Sequence, residues 1–191
     1  YLADHNQVKL IASTKKIGIG LLYSAVTQAI GFGPLQEGKT MGLAPLGAAV
    51  KSPVFNFEHR FEGIITDYSY ACLEGSYDMN IPHRAIESFE DQARAAYDVQ
   101  LECEHAMLHL ARWAKKVTGA DKLCISGGVG LNSVANYKIL QSGLYKEVFV
   151  NPAASDTGIP LGTALYGYHE ILKAKKEYKD ISAFIGPSYK K

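Results

Sequence analysis

The 191-residue sequence has almost no imbalance of charge: twenty basic residues stand against nineteen acidic ones, a net charge of +1. Without an excess of one sign there is no long-range field to gather nucleic acid or anionic lipid, and neither is expected as a partner. Long hydrophobic runs are missing as well. No apolar stretch is long enough to span a bilayer, and the opening Tyr1-Leu-Ala-Asp-His5 offers neither the basic nor the apolar region of a secretory leader. Cysteine is scarce. Cys72, Cys103 and Cys124 are odd in number, far apart and set among apolar residues, which argues against a disulfide framework and predicts reduced, buried thiols and a cytoplasmic setting. Two familiar signatures also fail. Gly33-Pro-Leu-Gln-Glu-Gly38-Lys39-Thr40 has the spacing of a Walker loop but does not follow a strand, and Ala106 follows His105 where a His-Glu-x-x-His zinc motif needs glutamate. At this length one sizeable core is expected. A chain that opens on tyrosine rather than methionine is expected to be a piece of a longer polypeptide, or a matured product.

What is present is organised around Asp121-Lys-Leu-Cys-Ile-Ser-Gly-Gly-Val-Gly-Leu-Asn132 and the segment after it. A short apolar run, a glycine cluster and a new helical period at Leu131, Val134, Ala135 and Ile139 predict strand, tight turn and helix. Gly127, Gly128 and Gly130 leave the main chain open to a ligand, and the following helix should aim its free N–H groups and positive dipole end into the turn. That favours an anion, most simply a phosphate. The turn is not the dinucleotide fingerprint, since Ser133 occupies the third glycine position and the next strand, Glu147 to Val150, ends in Asn151 rather than an acid. Taken alone, such a turn is as often a purely structural connection.

The periodicity predicts a mostly buried helix over residues 17–30, stopped by Gly31-Phe-Gly-Pro34. The next piece, Leu35 to Gly47, is too rich in glycine for an ordinary helix and too apolar for a solvated loop; it is read as a wall of a site, with Glu37 and Lys39 its only charges. Residues 48–83 alternate weakly at Val54 to Phe57 and Gly63 to Thr66, which predicts short strands, and Tyr68, Tyr70 and Tyr77 form a candidate exposed contact surface. A long amphipathic helix is predicted from Ser88 to Val117, with Ser88 and Asp91 as cap and Gly119 as stop. On it His105 and His109 have the one-turn spacing of metal ligands, but a pair of ordinary surface histidines is the preferred reading. After the strand Glu147 to Val150, the loop Asn151 to Pro160 carries a single carboxylate, Asp156, ahead of a helix over Leu161 to Tyr168. Such an aspartate is either a turn or cap residue or a functional group at a strand end. The lysine-rich tail from Lys173 reads as a linker.

Four blocks in order, Gly20-Leu-Leu-Tyr-Ser-x-x-Thr27, Glu37-Gly-Lys-x-Met-Gly-Leu-Ala44, Gly127-Gly-Val-Gly-Leu-Asn-x-x-x-Asn136 and Pro152-Ala-Ala-x-Asp-x-Gly-x-x-Leu-Gly-x-Ala164, give the chain its resemblance to the ATP-dependent O-carbamoyltransferases of the nodulation and antibiotic-tailoring type. Gly130 departs from the alanine usual at its position. The resemblance implies an α/β fold, an RNase H-like lobe of the actin, sugar-kinase and chaperone ATPase superfamily. Residues 1–180 would be mainly the second lobe of the transfer domain, and 181–191 would lead towards a C-terminal domain that forms carbamoyl adenylate. It further implies ATP and carbamoyl phosphate as substrates, carbamoyl adenylate as donor and a small-molecule hydroxyl as acceptor. Gly127, Gly128 and Gly130 would contact the adenylate phosphate, Asn132 the nucleotide and Glu104 the ribose, with Lys39 adding positive charge. Asp156 would be one ligand of a divalent metal, iron in first place, whose histidine ligands lie upstream; His105 and His109 are then not needed. The isolated chain is expected to be inactive. The alternatives are a tRNA threonylcarbamoyl-transferase or sugar-kinase-like ATPase lobe, or a non-catalytic nucleotide-binding module.

Overall fold

A computed structural model describes residues 1–4, 7–72, 85–175 and 186–189. Tyr77 and most of the lysine-rich tail therefore lie outside the described residues. The chain opens with a small antiparallel pair, β1 (Leu2–Asp4) and β2 (Gln7–Lys9), and then enters a helical layer. Helix α1 (Ile19–Ala29) forms where the apolar period predicts it, burying Ile19, Leu22, Ala25 and Val26.

The glycine-rich piece is a helix after all: α2 spans Glu37–Gly47 and carries Pro45 inside it. Weak propensity is overridden here by tertiary bonds. The Thr27 and Thr40 hydroxyls, both fully buried, lie 2.8 Å apart, and Ser24 Oγ donates to Glu37 Oε1 at 2.6 Å, so α2 is tied to α1 from its first turn. Gly47 then meets the next helix backbone to backbone; a Cβ there would stand 2.0 Å from the Ala93 carbonyl oxygen.

Of the strands predicted between 48 and 83, the described residues form a minimal hairpin alone, β3 (Phe61–Glu62) with β4 (Ile65–Thr66). Residues 54–57 are not a strand. Their first two N–H groups go instead to the buried Asp98 carboxylate, Val54 at 2.7 Å and Phe55 at 3.0 Å, while Arg94 pairs with the other oxygen at 2.7 Å. Tyr68 is fully buried in the core, not part of an exposed contact surface, and its backbone N–H reaches the Ile17 carbonyl.

Helix α3 (Phe89–Thr118) is the spine of the molecule. Ser88 Oγ accepts from Asp91 N and the Asp91 carboxylate accepts from Ser88 N, both at 3.1 Å, which closes a capping box, and Gly119 ends the helix in the left-handed region. Small residues, Ala95, Ala96, Val99, Cys103 and Ala106, let α1 and α2 approach closely on one side. Further along, Ala111 packs with Ile139 and Tyr145 beneath a β5–α4–β6 unit.

That unit comprises β5 (Lys122–Ile125), α4 (Ser133–Gln141) and β6 (Glu147–Val150). The strands are parallel, with Leu123 opposite Val148 and Ile125 opposite Val150. Their inward residues pack towards α3, whereas Cys124 and Phe149 point outwards and are exposed, so the expectation of three buried thiols holds for Cys72 and Cys103 only. After β6 come α5 (Ile159–Tyr166) and a wider π turn, Gly167–Ile171, neither of which buries a residue. The fold class is α/β. No described helix is long and apolar enough to cross a membrane.

Candidate functional site

The glycine turn and the Asp156 loop both leave the carboxyl ends of parallel strands, and they meet. Gly127 N donates to the Ala154 carbonyl at 2.7 Å, Ser126 Oγ reaches the same oxygen at 3.3 Å, and a Cβ on Gly130 would lie 3.3 Å from that of Ala154. Gly127 has φ +102°, a conformation side-chain-bearing residues rarely adopt, so glycine is required for the bend itself. Beside this junction is a cleft of about 280 Å³ lined by Ser126, Asn151, Ser155, Gly158, Leu161 and Leu165. Pockets for small ligands run from roughly 300 Å³ upwards, so it has room for the reactive end of a nucleotide rather than the whole.

Between Gly127 and α4 the chain makes a 3-10 turn, Gly128–Leu131, which the sequence reading did not anticipate. The helix therefore starts two residues after Leu131, at Ser133. Its Ala135 N–H is taken by the Asn132 side chain at 3.0 Å, and of the apolar period only Ala135 and Ile139 are buried, with Leu131 and Val134 exposed. Gly130 N likewise donates to the Gly127 carbonyl at 2.9 Å.

Asn132 is 8% exposed and joined to α3. Its Nδ2 donates to Gln100 Oε1 at 2.9 Å, and Gln100 Nε2 returns a bond to Asn132 Oδ1 at 3.2 Å. Gln100 Nε2 also lies 3.1 Å from Glu104 Oε1, and Lys138 Nζ stands 3.8 Å from the other Glu104 oxygen. The Tyr23 hydroxyl donates to Gln100 Oε1 at 2.9 Å; burial above all, then the neighbouring Cys103, pushes its pKa upwards. Gln100 and Tyr23 were missed in the sequence because only the fold brings three helices to one point, although Gln100 sits one helical turn before Glu104.

Lys39 is exposed on the first turn of α2, with Gln36 Oε1 at 2.9 Å and the Phe32 ring at 5.8 Å as its contacts. Neither contact leads to the glycine turn. Asp156 is exposed as the first residue of the short turn Asp156–Gly158, whose cap position is Ser155. Among the described residues no hydrogen bond or ion pair holds its carboxylate, and it belongs to no group of three metal-capable side chains. Gly158 behind it is a steric necessity, since a Cβ would fall 2.2 Å from the Ala153 carbonyl. The two α3 histidines do not converge. His109 Nε2 donates to the Gly63 carbonyl at 2.8 Å, whereas the His105 ring meets that of His59, centroids 5.2 Å apart. The pairing of His105 with His59 is the feature that reading α3 alone could not reveal.

Comparison with known proteins bears on this arrangement. The chain is 29% identical over 192 residues to nodulation protein NolO of Bradyrhizobium diazoefficiens, an alignment covering 94% of this chain and 33% of that protein. Nodulation protein U of Rhizobium fredii is 46% identical over 144 residues, covering 66% of this chain and 24% of the relative. The 3'-hydroxymethylcephem-O-carbamoyltransferase of Streptomyces clavuligerus is 34% identical over 131 residues, 67% and 24%. The chain thus spans between a quarter and a third of the length of these relatives. The family described as carbamoyltransferase N-terminus matches residues 1–165, which include the glycine turn, the Asp156 loop and all but the last residue of α5. The chain belongs to the carbamoyltransferase family, in its N-terminal region.

Proposed function

We propose that this chain supplies part of the carbamoyl-transfer site of an O-carbamoyltransferase, within an RNase H-like lobe of the actin, sugar-kinase and chaperone ATPase type. The donor is carbamoyl adenylate, made from ATP and carbamoyl phosphate, and the acceptor is a small-molecule hydroxyl. The reading is carried by the Gly127–Ala154 junction at the carboxyl ends of β5 and β6, where ligands of open α/β sheets bind, with the Asp156 carboxylate, which has no partner among the described residues, beside it.

In this reading the turn at Gly128 admits the phosphate of the adenylate close to the main chain. Asn132 acts by position: its amide is spent on Gln100 and on the start of α4, and it holds the turn in place for the nucleotide. Glu104, steadied by Gln100, faces the ribose, and Lys39 contributes charge from α2. Asp156 would hold a divalent metal, iron foremost, as a hard oxygen ligand alongside ligands from outside these residues. When bound, such an ion polarises the carbamoyl carbonyl. One carboxylate alone is a poor site, so the 191-residue chain by itself should neither hold that metal tightly nor transfer carbamoyl groups.

The test is Asp156→Asn in the complete protein, measuring metal content, adenylate formation and transfer separately. Asparagine keeps the shape and loses the charge, so metal content and transfer should fall together while adenylate formation persists. Unchanged metal content and transfer would return Asp156 to an ordinary loop residue.

A further inference from the structure

Helix α3 carries a second polar cluster, turned away from the glycine turn. At 3.6 residues per turn Glu102 lies roughly 200° around the axis from Gln100, and it faces the segment that runs from Val54 to Tyr70. The Glu102 side chain is only 3% exposed, yet among the described residues it has no lysine or arginine partner. The Tyr68 hydroxyl donates to its Oε1 at 2.6 Å, and His59 Nδ1 stands 3.1 Å from the same oxygen. His105, three residues along the helix on the same face, completes the group. One ligand atom from each of His59, Glu102 and His105 lies within 4.8 Å of the other two.

We propose that His59, Glu102 and His105 form a divalent-cation site of the zinc class. Two imidazole nitrogens and one carboxylate oxygen would bind, with the fourth position left to water. Tetrahedral zinc at roughly 2.0–2.2 Å from each donor needs those donors a little over 3 Å apart. The His59–Glu102 pair already has that spacing, and rotation of two exposed rings closes the rest. The buried carboxylate is the fixed member, with Tyr68 orienting it as a positioning residue. The exposed imidazoles give the ion its path in from solvent. Its structural effect is to pin the loop before the β3–β4 hairpin to the middle of α3, across 43 residues of chain. Asp156 takes no part, so this site stands independently of the transfer reaction. On α3 the visible signal is Glu102-x-x-His105; His59 is remote in sequence.

The test is calorimetric titration of the purified chain with Zn²⁺, alongside Co²⁺ absorption spectra to report coordination. Wild type should take up one ion per chain with a four-coordinate cobalt spectrum. His59→Ala and His105→Ala change exposed rings, and each should weaken binding at least about tenfold, while Tyr68→Phe should weaken it about 10–100-fold. Asp156→Asn should bind as wild type does, and circular dichroism should report the same helix content throughout. No zinc uptake by wild type overturns the proposal and leaves a hydrogen-bonded His–Glu pair. Undiminished binding in the His59→Ala/His105→Ala double variant, or loss in Asp156→Asn, overturns it by placing the ion elsewhere.

Discussion

Asn132 and Gln100 exchange two hydrogen bonds, at 2.9 and 3.2 Å, across 32 residues of sequence. The same Gln100 oxygen accepts from Tyr23, so one buried amide joins α1, α3 and the start of α4. Replacing Gln100 by alanine strands the Tyr23 hydroxyl and the Asn132 amide, each costing roughly 1–3 kcal/mol when left unpaired. Gln100→Ala should therefore lower the urea midpoint markedly, whereas Glu104→Gln, at the solvent side of the same cluster, should change it little. Equal midpoints for the two variants would show that the amide pair does not hold the three helices together.

Gly128 and Gly158 separate two roles of glycine in this site. A Cβ on Gly128 meets nothing within 4 Å, so Gly128→Val should leave the melting temperature close to wild type while obstructing the phosphate. Gly158→Ala should unfold or displace the Asp156 loop, since its Cβ would collide with the Ala153 carbonyl. Nucleotide titration of the complete protein checks the first; wild-type affinity in Gly128→Val would remove the turn from the binding site.

Thiol reactivity should split the cysteines one against two. Burial pushes the Cys72 thiol up to about 11, and burial, then the nearby Glu104, pushes Cys103 up to about 12, so both are protonated and inaccessible at neutral pH. Cys124 lies on the open face of the β5–β6 pair. Native protein should show one rapidly titrating thiol with an aromatic disulfide reagent and three after denaturation. Three fast thiols would mean that the α1–α3 core opens readily.

Acid should weaken the junction between α3 and β6. Hydrogen bonds from Lys146 and then Lys115 hold the Asp121 carboxyl at about 2, below its usual 3.8. A depressed folded-state value stabilises above the unfolded value and is lost as the group protonates. The contribution of Asp121 is thus full above about pH 4 and drains away towards pH 2. Urea midpoints of wild type and Asp121→Asn should differ at pH 7 and converge near pH 2. A gap independent of pH would assign the difference to something other than this charge.

The parts legible in the sequence were those written in local code. The capping box at Ser88 and Asp91, the stop at Gly119 and the strand-turn-helix-strand order from Lys122 to Val150 all appear where spacing and glycine placed them. Helix α2 was hidden because Gly38, Gly42 and Pro45 depress its propensity, while what secures it, Thr27 against Thr40 and Gly47 against Ala93, is tertiary. Residues 54–57 were mistaken for a strand because alternation predicts an extended chain, and Asp98 supplies the partners that a neighbouring strand would have supplied. In the site, the glycine turn and the Asp156 loop each follow the strand that the sequence puts before them. The Gln100 cluster and the meeting of His59 with His105 were not legible, since neither follows from any spacing along the chain.

The Ala154 carbonyl accepts from both Gly127 N and Ser126 Oγ, so two consecutive residues of one loop hang on a single atom of the other. A force that draws the Asp156 loop inwards is transmitted to the glycine turn within one peptide unit, through the main-chain bond from Gly127. Whatever binds at one loop and shifts Ala154 must alter the affinity of the other loop for its own ligand, and the reverse effect must be equally large. On the proposed reading, with donor at the glycine turn and ion at Asp156, the two would be sensed as a pair.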